Sequence, residues 1–329
     1  MRPAFTMKIG NVTLKGNVIL GPMAGVTNLA YREFMKPFGV ALSYSEMISD
    51  CGIAYGNNRT FEYLETSELD SPVGLQIFGF SLENSAKAIE IIEKTAKYDI
   101  LDVNLGCPVP KVVKTGAGSS WLRRIDELKT YMEGVVKTSS KPVTAKIRLG
   151  WDDSSINVEE VALMLQEVGV SALAIHCRTR SAFYSGKANY EAIAGVKEKL
   201  NIPLIVSGDI FSLEDAIKAT EITHCDGIMV ARGSRGNPFL ITQIDHYFKT
   251  GEKLPGPDLK TQIGYAREFV NKMISFRGEE KGVRELRGLL THFLAGYPGM
   301  KKYYPALIQA NHVKDIEAVF HGIEVQYEL

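Results

Sequence analysis

One cysteine of the chain, Cys107, stands where its thiol could take part in a reaction. Gly106 before it permits an unusual turn, and Pro108 after it has no backbone N–H to offer a neighbouring strand. These neighbours predict that the thiol is presented on a loop. A thiol with a pKa of about 8.5 is mostly protonated at neutral pH, so Cys107 is a candidate general acid or, once deprotonated, a nucleophile.

The other cysteines are widely spaced and form no C-x-x-C pair, which argues against a disulfide framework or a zinc site. We expect reduced thiols and no bound metal ion. These cysteines are expected to be small core side chains: Cys51, Cys177 and Cys225.

A lysine and a glutamine lie within apolar runs. Lys146 is either a surface residue whose stem packs on apolar neighbours or an interior cation. An interior cation could stabilise the negative charge of a reduced flavin, or form a Schiff base with a carbonyl substrate. Gln76 favours the flavin role, because a side-chain amide of this type pairs with the polar edge of a flavin ring.

Cations and glycines in three further segments could bind an anion. His176, Arg178 and Arg180 alternate along one segment, and three potential cations at one strand end favour anion binding. Gly208 and Arg232-Gly233 could bring backbone N–H groups close to a phosphate. Taken alone, however, these glycines are as well explained by tight turns that need a positive φ.

The elements that carry these residues predict an α/β barrel. Eight short apolar runs recur about every 30 residues, the length of a βα unit. They are apolar on both faces, as parallel strands buried on both sides are. A (β/α)8 TIM barrel is favoured over an open doubly wound sheet, because no G-x-G-x-x-G follows the first run. The runs are Val18–Leu20, Ala41–Ser45, Val73–Phe78, Ile100–Leu105, Val143–Arg148, Ala172–His176, Leu204–Val206 and Gly227–Val230.

The chemistry-bearing residues follow the ends of these runs, where a TIM barrel places its active site. Before the barrel, Met7–Leu14 is predicted to form a hairpin that could close the barrel floor. After it, the linker-like segment 251–257 precedes helices at about 258–277, 281–295, 301–310 and 313–322. We therefore predict a barrel domain over 1–245 and a small all-helical domain over 246–329.

Composition gives no overall support for nucleic-acid binding, because 38 basic and 38 acidic residues balance. Residues 260–302 are locally basic, with nine Lys or Arg against four Glu. On a continuous helix, Arg277, Lys281 and Arg284 would align on one face, although charge pattern alone favours a solvated surface. Segment 1–10 carries no signal-peptide run and no membrane-spanning stretch occurs, so a cytoplasmic protein without membrane contact is expected.

Seven ordered segments resemble the tRNA-dihydrouridine synthase family, and most of all its bacterial B-type branch. The resemblance covers about residues 7–245, and RELRGLLTHFLAGYPG (284–299) is similar to that family's helical domain. The segments are PMAGVTN (22–28), LQIFG (75–79), DVNLGCPVPKVVKTGAG (102–118), KIRLGWDD (146–153), HCRTRSAFYSG (176–186), SGDI (207–210) and ARGSRGNP (231–238).

The resemblance implies a role for each candidate residue. Cys107 would be the general acid, and the uracil would be recognised by Asn104, Arg148 and Tyr184. FMN would be bound by Pro22, Met23, Ala24, Gln76, Lys146, His176, Ser207, Gly208, Asp209, Ala231, Arg232 and Gly233. The tRNA would be contacted by Arg178, Arg180, Arg277, Lys281 and Arg284, so that the basic tail is interpreted as an RNA surface.

The reaction implied is reduction of uridine in tRNA to 5,6-dihydrouridine. NADPH or NADH would reduce FMN, hydride would pass to C6 of the base, and Cys107 would protonate C5. The target base must leave the tRNA fold to reach the flavin. We expect a monomer. The resemblance leaves open which uridine is reduced and which nicotinamide cofactor is used.

Two other functions stay open on the sequence. An FMN barrel acting on a small molecule, such as a dihydropyrimidine or an enone, would share the flavin segments but would need no basic helical tail. A tRNA-binding or folding module with little catalysis is disfavoured by the presence of Cys107 and Lys146. The chain departs from the family pattern at Asn28, Ser207, Cys177 and SSWLRR (119–124), which puts some flavin and tRNA contacts in doubt.

Overall fold

The structure is a computed structural model that describes residues 6–329. The first five residues lie outside the described residues. They include the start of segment 1–10, for which no signal peptide is expected. Two short strands form a hairpin, β1 (Met7–Ile9) and β2 (Val12–Leu14). The barrel strands are β3 (Val18–Leu20), β4 (Leu42–Ser49), β5 (Val73–Phe78), β6 (Ile100–Asn104), β7 (Val143–Arg148), β8 (Ala172–His176), β9 (Leu204–Ser207) and β10 (Gly227–Val230).

The eight barrel strands are parallel and close into a cylinder in which β10 pairs with β3. The predicted TIM barrel is therefore confirmed. The strands are almost wholly buried, because one face packs against the helices and the other fills the barrel interior. The register aligns functional residues of neighbouring strands: Asn104 is level with Lys146, and Arg148 is level with His176.

Helices surround the barrel and cap its mouth. Within residues 6–329 they are α1 (Leu29–Met35), α2 (Asp50–Ala54), α3 (Asn58–Phe61), α4 (Leu82–Thr95), α5 (Pro110–Val113), α6 (Ile125–Thr138), α7 (Val158–Glu167), α8 (Leu213–Thr223), α9 (Phe239–Thr250), α10 (Leu259–Arg277), α11 (Glu279–Phe293), α12 (Tyr304–Gln309) and α13 (Val313–Tyr327). The expected amphipathic segments at 82–96 and 158–168 correspond to α4 and α7. Apolar residues of both helices are buried against the barrel.

One βα unit departs from the expected pattern. After β8 the described chain forms two 3-10 turns, Glu191–Ile193 and Lys197–Lys199, in place of an α-helix. Gly195 lies between them with φ +81°, a left-handed conformation that interrupts a right-handed helix.

The N-terminal hairpin covers the floor of the barrel, as predicted. Met7, Ile9 and Leu14 pack in one cluster with Ile100 and Ala172, the first residues of β6 and β8. The floor is thus closed by apolar side chains, and access to the interior is from the opposite end.

The C-terminal helices pack on the barrel through aromatic side chains. Phe34 in α1 lies 5.1 Å from Phe269 in α10, and Phe38 lies 4.9 Å from Tyr265, between ring centroids. Phe293 in α11 stacks on Phe269. The predicted division between residues 245 and 246 falls inside α9, and the division into two domains stays a prediction.

The helix bounds differ from the expected ones in this region. The segment expected at 301–310 divides into a 3-10 turn, Met300–Tyr303, and the short helix α12. The helix expected at 313–322 continues to Tyr327 as α13. Among residues 6–329, every helix is too short or too polar to cross a lipid bilayer.

Candidate active site

A cavity of about 360 Å³ opens at the carboxyl ends of the barrel strands. Its volume is in the range of small-molecule and cofactor sites. Most of the predicted site residues line it: Pro22, Met23, Ala24, Asn104, Cys107, Lys146, Arg148, His176, Tyr184, Ser207, Gly208, Asp209, Ala231, Arg232 and Gly233. The other predicted residues lie elsewhere: Gln76, Arg178, Arg180, Arg277, Lys281 and Arg284.

Gln76 lies beneath the cavity in a chain of buried hydrogen bonds. Its side-chain N–H donates to Asp102 Oδ2 at 2.6 Å, and its carbonyl accepts from the Asn104 amide at 2.8 Å. Thr144 donates to Asp102 Oδ1 at 2.6 Å. Burial raises the pKa of Asp102 to about 6, against the opposing effect of these two hydrogen bonds. The carboxyl group therefore fixes which way the Gln76 amide points, and Gln76 in turn orients Asn104.

Asn104 extends this chain of hydrogen bonds to the cysteine loop. Its side-chain oxygen accepts the backbone N–H of Cys107 at 2.8 Å. Ser119 donates to the Cys107 carbonyl through its hydroxyl at 2.8 Å, so the loop is held on both sides. The thiol borders the cavity, and its burial raises the pKa of Cys107 above the usual value. The thiol is therefore protonated at neutral pH and can donate a proton.

The remaining cysteines do not reach the cavity. Cys177 is fully buried, as expected of a core residue, whereas Cys51 and Cys225 are half-buried. The expectation that all three are core residues is therefore wrong for two of them.

Lys146 projects from β7 into the barrel and not onto the surface. Its burial, and then the positive charge of Arg148, lower the pKa of Lys146 to about 8. At neutral pH the amine is mostly protonated, but it is poised to lose its charge in mild alkali. An anionic group bound in the cavity would stabilise the charged form.

Arg148 and Tyr184 form the wall of the cavity next to Cys107. The Arg148 guanidinium donates to the carbonyl oxygens of Gly106 at 3.0 Å and Phe183 at 2.7 Å. Tyr184 is half exposed, and its ring lies 5.5 Å from Arg148 Cζ and 4.6 Å from Arg232 Cζ. A planar polar ligand entering the cavity therefore meets an aromatic ring that is held between two guanidinium groups.

The loops after β9 and β10 contact each other and together form one wall of the cavity, which we call the cradle. Gly208 has φ +117°, and a Cβ at this position would lie 2.9 Å from the His176 ring. A Cβ at Gly233 would lie 1.9 Å from the Ile210 carbonyl oxygen, so only glycine allows the two loops to touch. The positive φ expected of a turn glycine is thus present at Gly208, and its backbone also borders the cavity.

The charge of this cradle suits an anion. Five residues lining the cavity carry basic side chains: Lys146, Arg148, His176, Arg232 and Arg235. Asp209 is the one acid among the lining residues, and Arg178 already pairs with it at 2.6 Å. Burial, followed by the nearby Lys146 charge, holds the pKa of His176 well below its usual value, so its imidazole is neutral. The surplus of cations fits the phosphate of a nucleotide cofactor.

Arg178 does not face the cavity, contrary to its predicted contact with tRNA. Both of its terminal nitrogens bind the Asp209 carboxylate, at 2.8 and 2.6 Å, and its side chain is 3% exposed. Burial would raise the pKa of Asp209, but the bonds to Arg178 outweigh it and the pKa lies below its usual value. Arg178 therefore holds Asp209 and the loop at Gly208 in place, and its guanidinium is withdrawn from any substrate.

The basic residues of the tail do not form a stripe, because the two helices expected at 258–277 and 281–295 are indeed separate. Gly278, with φ +74° and ψ 166°, ends α10 and begins α11, so Arg277 and Lys281 lie on different helices. Both side chains converge on Glu62, at 3.5 and 3.4 Å, while Arg284 pairs separately with Glu280. Arg277 also pairs with Glu285 at 3.3 Å, so the two cations lie among carboxylates at the edge of the mouth.

Sequence reasoning missed two residues of the site. Asp102 precedes Asn104 by two residues on β6, so that both side chains lie on the inner face. That spacing could have indicated it. Arg235 lines the cavity, and its Nε is buried without a hydrogen-bond partner. Nothing in the sequence distinguishes this arginine from a surface residue. Among residues 6–329, no group of three or more His, Cys, Asp or Glu is placed to hold a metal ion.

The fold and the cavity together define an α/β-barrel enzyme whose site lies at the carboxyl ends of the strands. The sequence model of the family described as Dihydrouridine synthase (Dus) matches residues 19–325. The chain belongs to this family, and the predicted family is confirmed.

Relatives with assigned names agree over nearly the whole chain. A "Probable tRNA-dihydrouridine synthase 1" of Synechocystis sp. is 37% identical over 94% of this chain and 86% of its own length. A "Probable tRNA-dihydrouridine synthase" of Rickettsia bellii is 36% identical over 98% of this chain and 100% of its own. The "tRNA-dihydrouridine synthase B" of Pseudomonas aeruginosa is 36% identical over 95% and 93%.

Solved structures share the fold at low sequence identity. An old yellow enzyme homologue from Zymomonas mobilis superimposes with a TM-score of 0.55 and 13% identity, over 78% of this chain and 95% of that one. Histamine dehydrogenase from Rhizobium sp. 4-9 gives a TM-score of 0.55 and 12% identity, over 82% and 51%. These likenesses support the barrel fold.

Proposed function

We propose that this protein is a tRNA-dihydrouridine synthase that reduces uridine in tRNA to 5,6-dihydrouridine, using FMN and a nicotinamide reductant, NADPH or NADH. The observation that carries the proposal is the arrangement of Cys107, Lys146 and Arg148 around one cavity, in a chain of the dihydrouridine synthase family. The names of its relatives support tRNA as the substrate.

The cavity fits an FMN at its closed end. When bound there, the flavin supplies the hydride that the reaction needs. Pro22, Met23 and Ala24 would line its ring, and Lys146 would stand near enough to balance negative charge on it. The cradle of Ser207, Gly208, Asp209, Ala231, Arg232 and Gly233, with neutral His176, would hold the phosphate.

Gln76 would act from below the ring. One of its two amide N–H groups is bound to Asp102, which leaves the other available to a polar atom of the flavin. The buried position of Gln76 makes its orientation depend on Asp102 and Asn104, and the amide cannot turn without breaking both hydrogen bonds.

The residues near the cavity entrance would bind the base. Tyr184 can stack on the uracil, while Asn104 and Arg148 can bind its carbonyl groups, since each retains a donor that faces the cavity. Cys107 would deliver the proton to C5 from its protonated thiol. Because the cavity lies within the mouth of the barrel, the base must be turned out of the tRNA to enter it.

Two observations support RNA over a small molecule as the substrate. The entrance is bordered by cations that the catalytic reduction of a small neutral molecule would not need, among them the Arg277 and Lys281 cluster. Of the helices that carry this cluster, α10 packs directly on α1 of the barrel, and α11 packs on α10. We propose that Arg277, Lys281 and Arg284 contact tRNA phosphates, and that the protein acts as a monomer in the cytoplasm.

The test is to replace the thiol and follow dihydrouridine in an unmodified tRNA transcript. Cys107→Ala should retain bound flavin and lose about 10²–10⁴-fold in turnover, the usual contribution of a general acid. Cys51→Ala is the matched control, because Cys51 lies outside the cavity, and it should turn over normally.

Two results would contradict the proposal. Unchanged turnover in Cys107→Ala would remove the thiol from the reaction. Rapid reduction of an enone or a dihydropyrimidine precursor by the wild-type protein, with no dihydrouridine formed in tRNA, would instead favour a small-molecule reductase.

A further inference from the structure

A tryptophan on the rim of the barrel is stacked by two arginines. Trp151 follows β7, the strand that carries Lys146. The Cζ atoms of Arg123 and Arg180 lie 4.6 and 4.5 Å from the centre of its ring. Arg123 comes from the loop after β6 and Arg180 from the loop after β8, so three neighbouring loops meet at this ring. We call these three side chains the rim stack.

Backbone hydrogen bonds make the rim stack rigid. The Arg180 N–H donates to the Gly150 carbonyl at 2.9 Å, and the Ser181 N–H donates to the Trp151 carbonyl at 2.9 Å. The Trp151 loop is closed by a bridge between Gly150 and Ile156. The indole is therefore a fixed platform, and a ligand that binds the stack would not have to order a mobile loop.

The two guanidinium groups of the rim stack are not neutralised. Among residues 6–329, neither Arg123 nor Arg180 pairs with a carboxylate, and Arg180 Nε is buried without an acceptor. Two acids lie near the stack: Asp152 accepts from Ser154 at 2.7 Å and lines the same depression as Arg123 and Trp151, and Asp153 accepts from Thr179, so each carboxylate is bonded within its own loops and forms no ion pair with the stack. Because both guanidiniums touch one ring, their charges lie closer together than the Debye length of ~10 Å at 0.1 M salt. Their mutual repulsion favours an anion between or beside them.

The position of the rim stack identifies the anion. The strands β6, β7 and β8 that lead into its three loops also carry Asn104, Lys146 and His176, which line the cavity. When a base enters the cavity, the phosphates on either side of its nucleotide must stay outside, on this rim or on the opposite one. The opposite rim already carries the cluster of Arg277 and Lys281, next to β4.

We infer that the rim stack of Arg123, Trp151 and Arg180 binds the RNA backbone beside the turned-out nucleotide, as a second contact across the mouth from Arg277 and Lys281. The inference rests on the proposed function and adds a binding site to it. Each guanidinium can donate two parallel hydrogen bonds to phosphate while its face stays on the indole. An acidic protein surface could also bind these two arginines, and the experiment distinguishes RNA from such a protein partner.

The experiment measures binding of an unmodified tRNA transcript to the flavin-loaded, full-length protein across a range of salt concentrations. Arg123 is exposed, so Arg123→Ala, Arg123→Glu and Arg123→Lys should all fold, and bound flavin reports that they have. Arg123→Ala should weaken binding about three- to tenfold, with a salt slope reduced by about 0.7–0.9. Arg123→Glu should weaken it further, and Arg123→Lys should restore most of it.

Two comparisons make the result specific. Lys129→Ala is the charge-matched control, because Lys129 is exposed on α6, lies outside the rim stack and is already paired with Glu167. It should bind tRNA as the wild type does. Arg180→Ala is the second variant, and its effect on the KM for tRNA should exceed its effect on kcat.

The results that overturn the inference differ from those that overturn the proposed function. If Arg123→Ala and Arg123→Glu bind and turn over tRNA as Lys129→Ala does, the rim stack is only a clamp between loops or a site for another partner. If the wild-type protein binds tRNA but forms no dihydrouridine, while the Arg123 variants still weaken binding, the rim site stands and the proposed reaction falls.

Discussion

At the scale of single residues, the site is organised by two acids, the buried Asp102 and the partly exposed Asp209. Asp102 orients Gln76 and, through it, Asn104 and the loop of Cys107. Asp209 is held by Arg178 and in turn binds the N–H of Ala188 at 2.8 Å. Each acid accepts hydrogen bonds from neutral or cationic groups and so holds them in one orientation. The hydrogen-bond donors that face the cavity are therefore held in fixed directions.

Lys146 gives this site a predictable pH dependence. Its pKa of about 8 means that the free protein loses this positive charge as the pH rises through 8. An anionic flavin binds the protonated amine better, so binding takes up a proton above that pH. The affinity for FMN should therefore be constant up to about pH 8 and then fall by up to about tenfold per pH unit.

Flavin fluorescence titrations between about pH 7 and about pH 9.5 would measure this. Lys146→Arg should bind FMN with a flat profile over that range, because a guanidinium stays protonated, and Lys146→Met should bind weakly at every pH. If the Lys146→Met profile bends at the same pH as the wild type, a different group titrates and Lys146 does not contact the flavin.

At the scale of elements, the break between α10 and α11 decides where the basic residues of the tail point. Gly278 has φ +74° and ψ 166°, a combination that essentially only glycine adopts. Gly278→Ala should lower the free energy of unfolding by about 1–3 kcal/mol, although no neighbouring atom lies within 4 Å of the added Cβ. Urea denaturation followed by circular dichroism would measure it.

Gly288 provides the matched control for this change. It lies inside α11, where an added Cβ would also meet nothing within 4 Å, but its backbone is helical. Gly288→Ala should therefore raise stability by about 0.5–1 kcal/mol. Equal effects of the two substitutions would show that the conformation of Gly278 is not strained for alanine.

The sequence predicted the elements of the barrel and of the tail better than the contacts between them. Several strands were predictable because runs such as Gly227–Val230 are apolar on both faces, as parallel strands buried on both sides are. The position of the site followed from the strand ends. The expected helices at about 258–277 and 281–295 already place a break at Gly278, but no local pattern predicts that Arg277 and Lys281 both pair with Glu62 across that break. The pairing of Arg178 with Asp209 depends on a contact between loops 31 residues apart, which no local pattern encodes.

At the scale of the whole molecule, the net charge is zero, but basic residues are concentrated on two sides of the barrel mouth. The rim stack lies over β6–β8, and the Arg277 and Lys281 cluster lies beside β4. A tRNA that delivers one base to the cavity would touch both at once, and two moderate contacts on a rigid frame can bind more tightly than either alone. Some of the balancing acids lie at the mouth itself, because Glu62 and Glu285 pair with Arg277.

Among the acids at this mouth, Glu62 contacts both cations of the cluster. Glu62 is half exposed and accepts from both Arg277 and Lys281, so it competes with phosphate for these cations. Glu62→Gln should strengthen tRNA binding about two- to fivefold at low salt, and the gain should shrink as salt screens the charges. Glu127→Gln is the control, because Glu127 also pairs with an arginine, Arg124, at an exposed position outside both clusters. Filter binding at several salt concentrations would compare them. Weaker binding by Glu62→Gln would mean that Glu62 holds Arg277 and Lys281 in position for the RNA, and that the two cations are not free to rearrange around a phosphate.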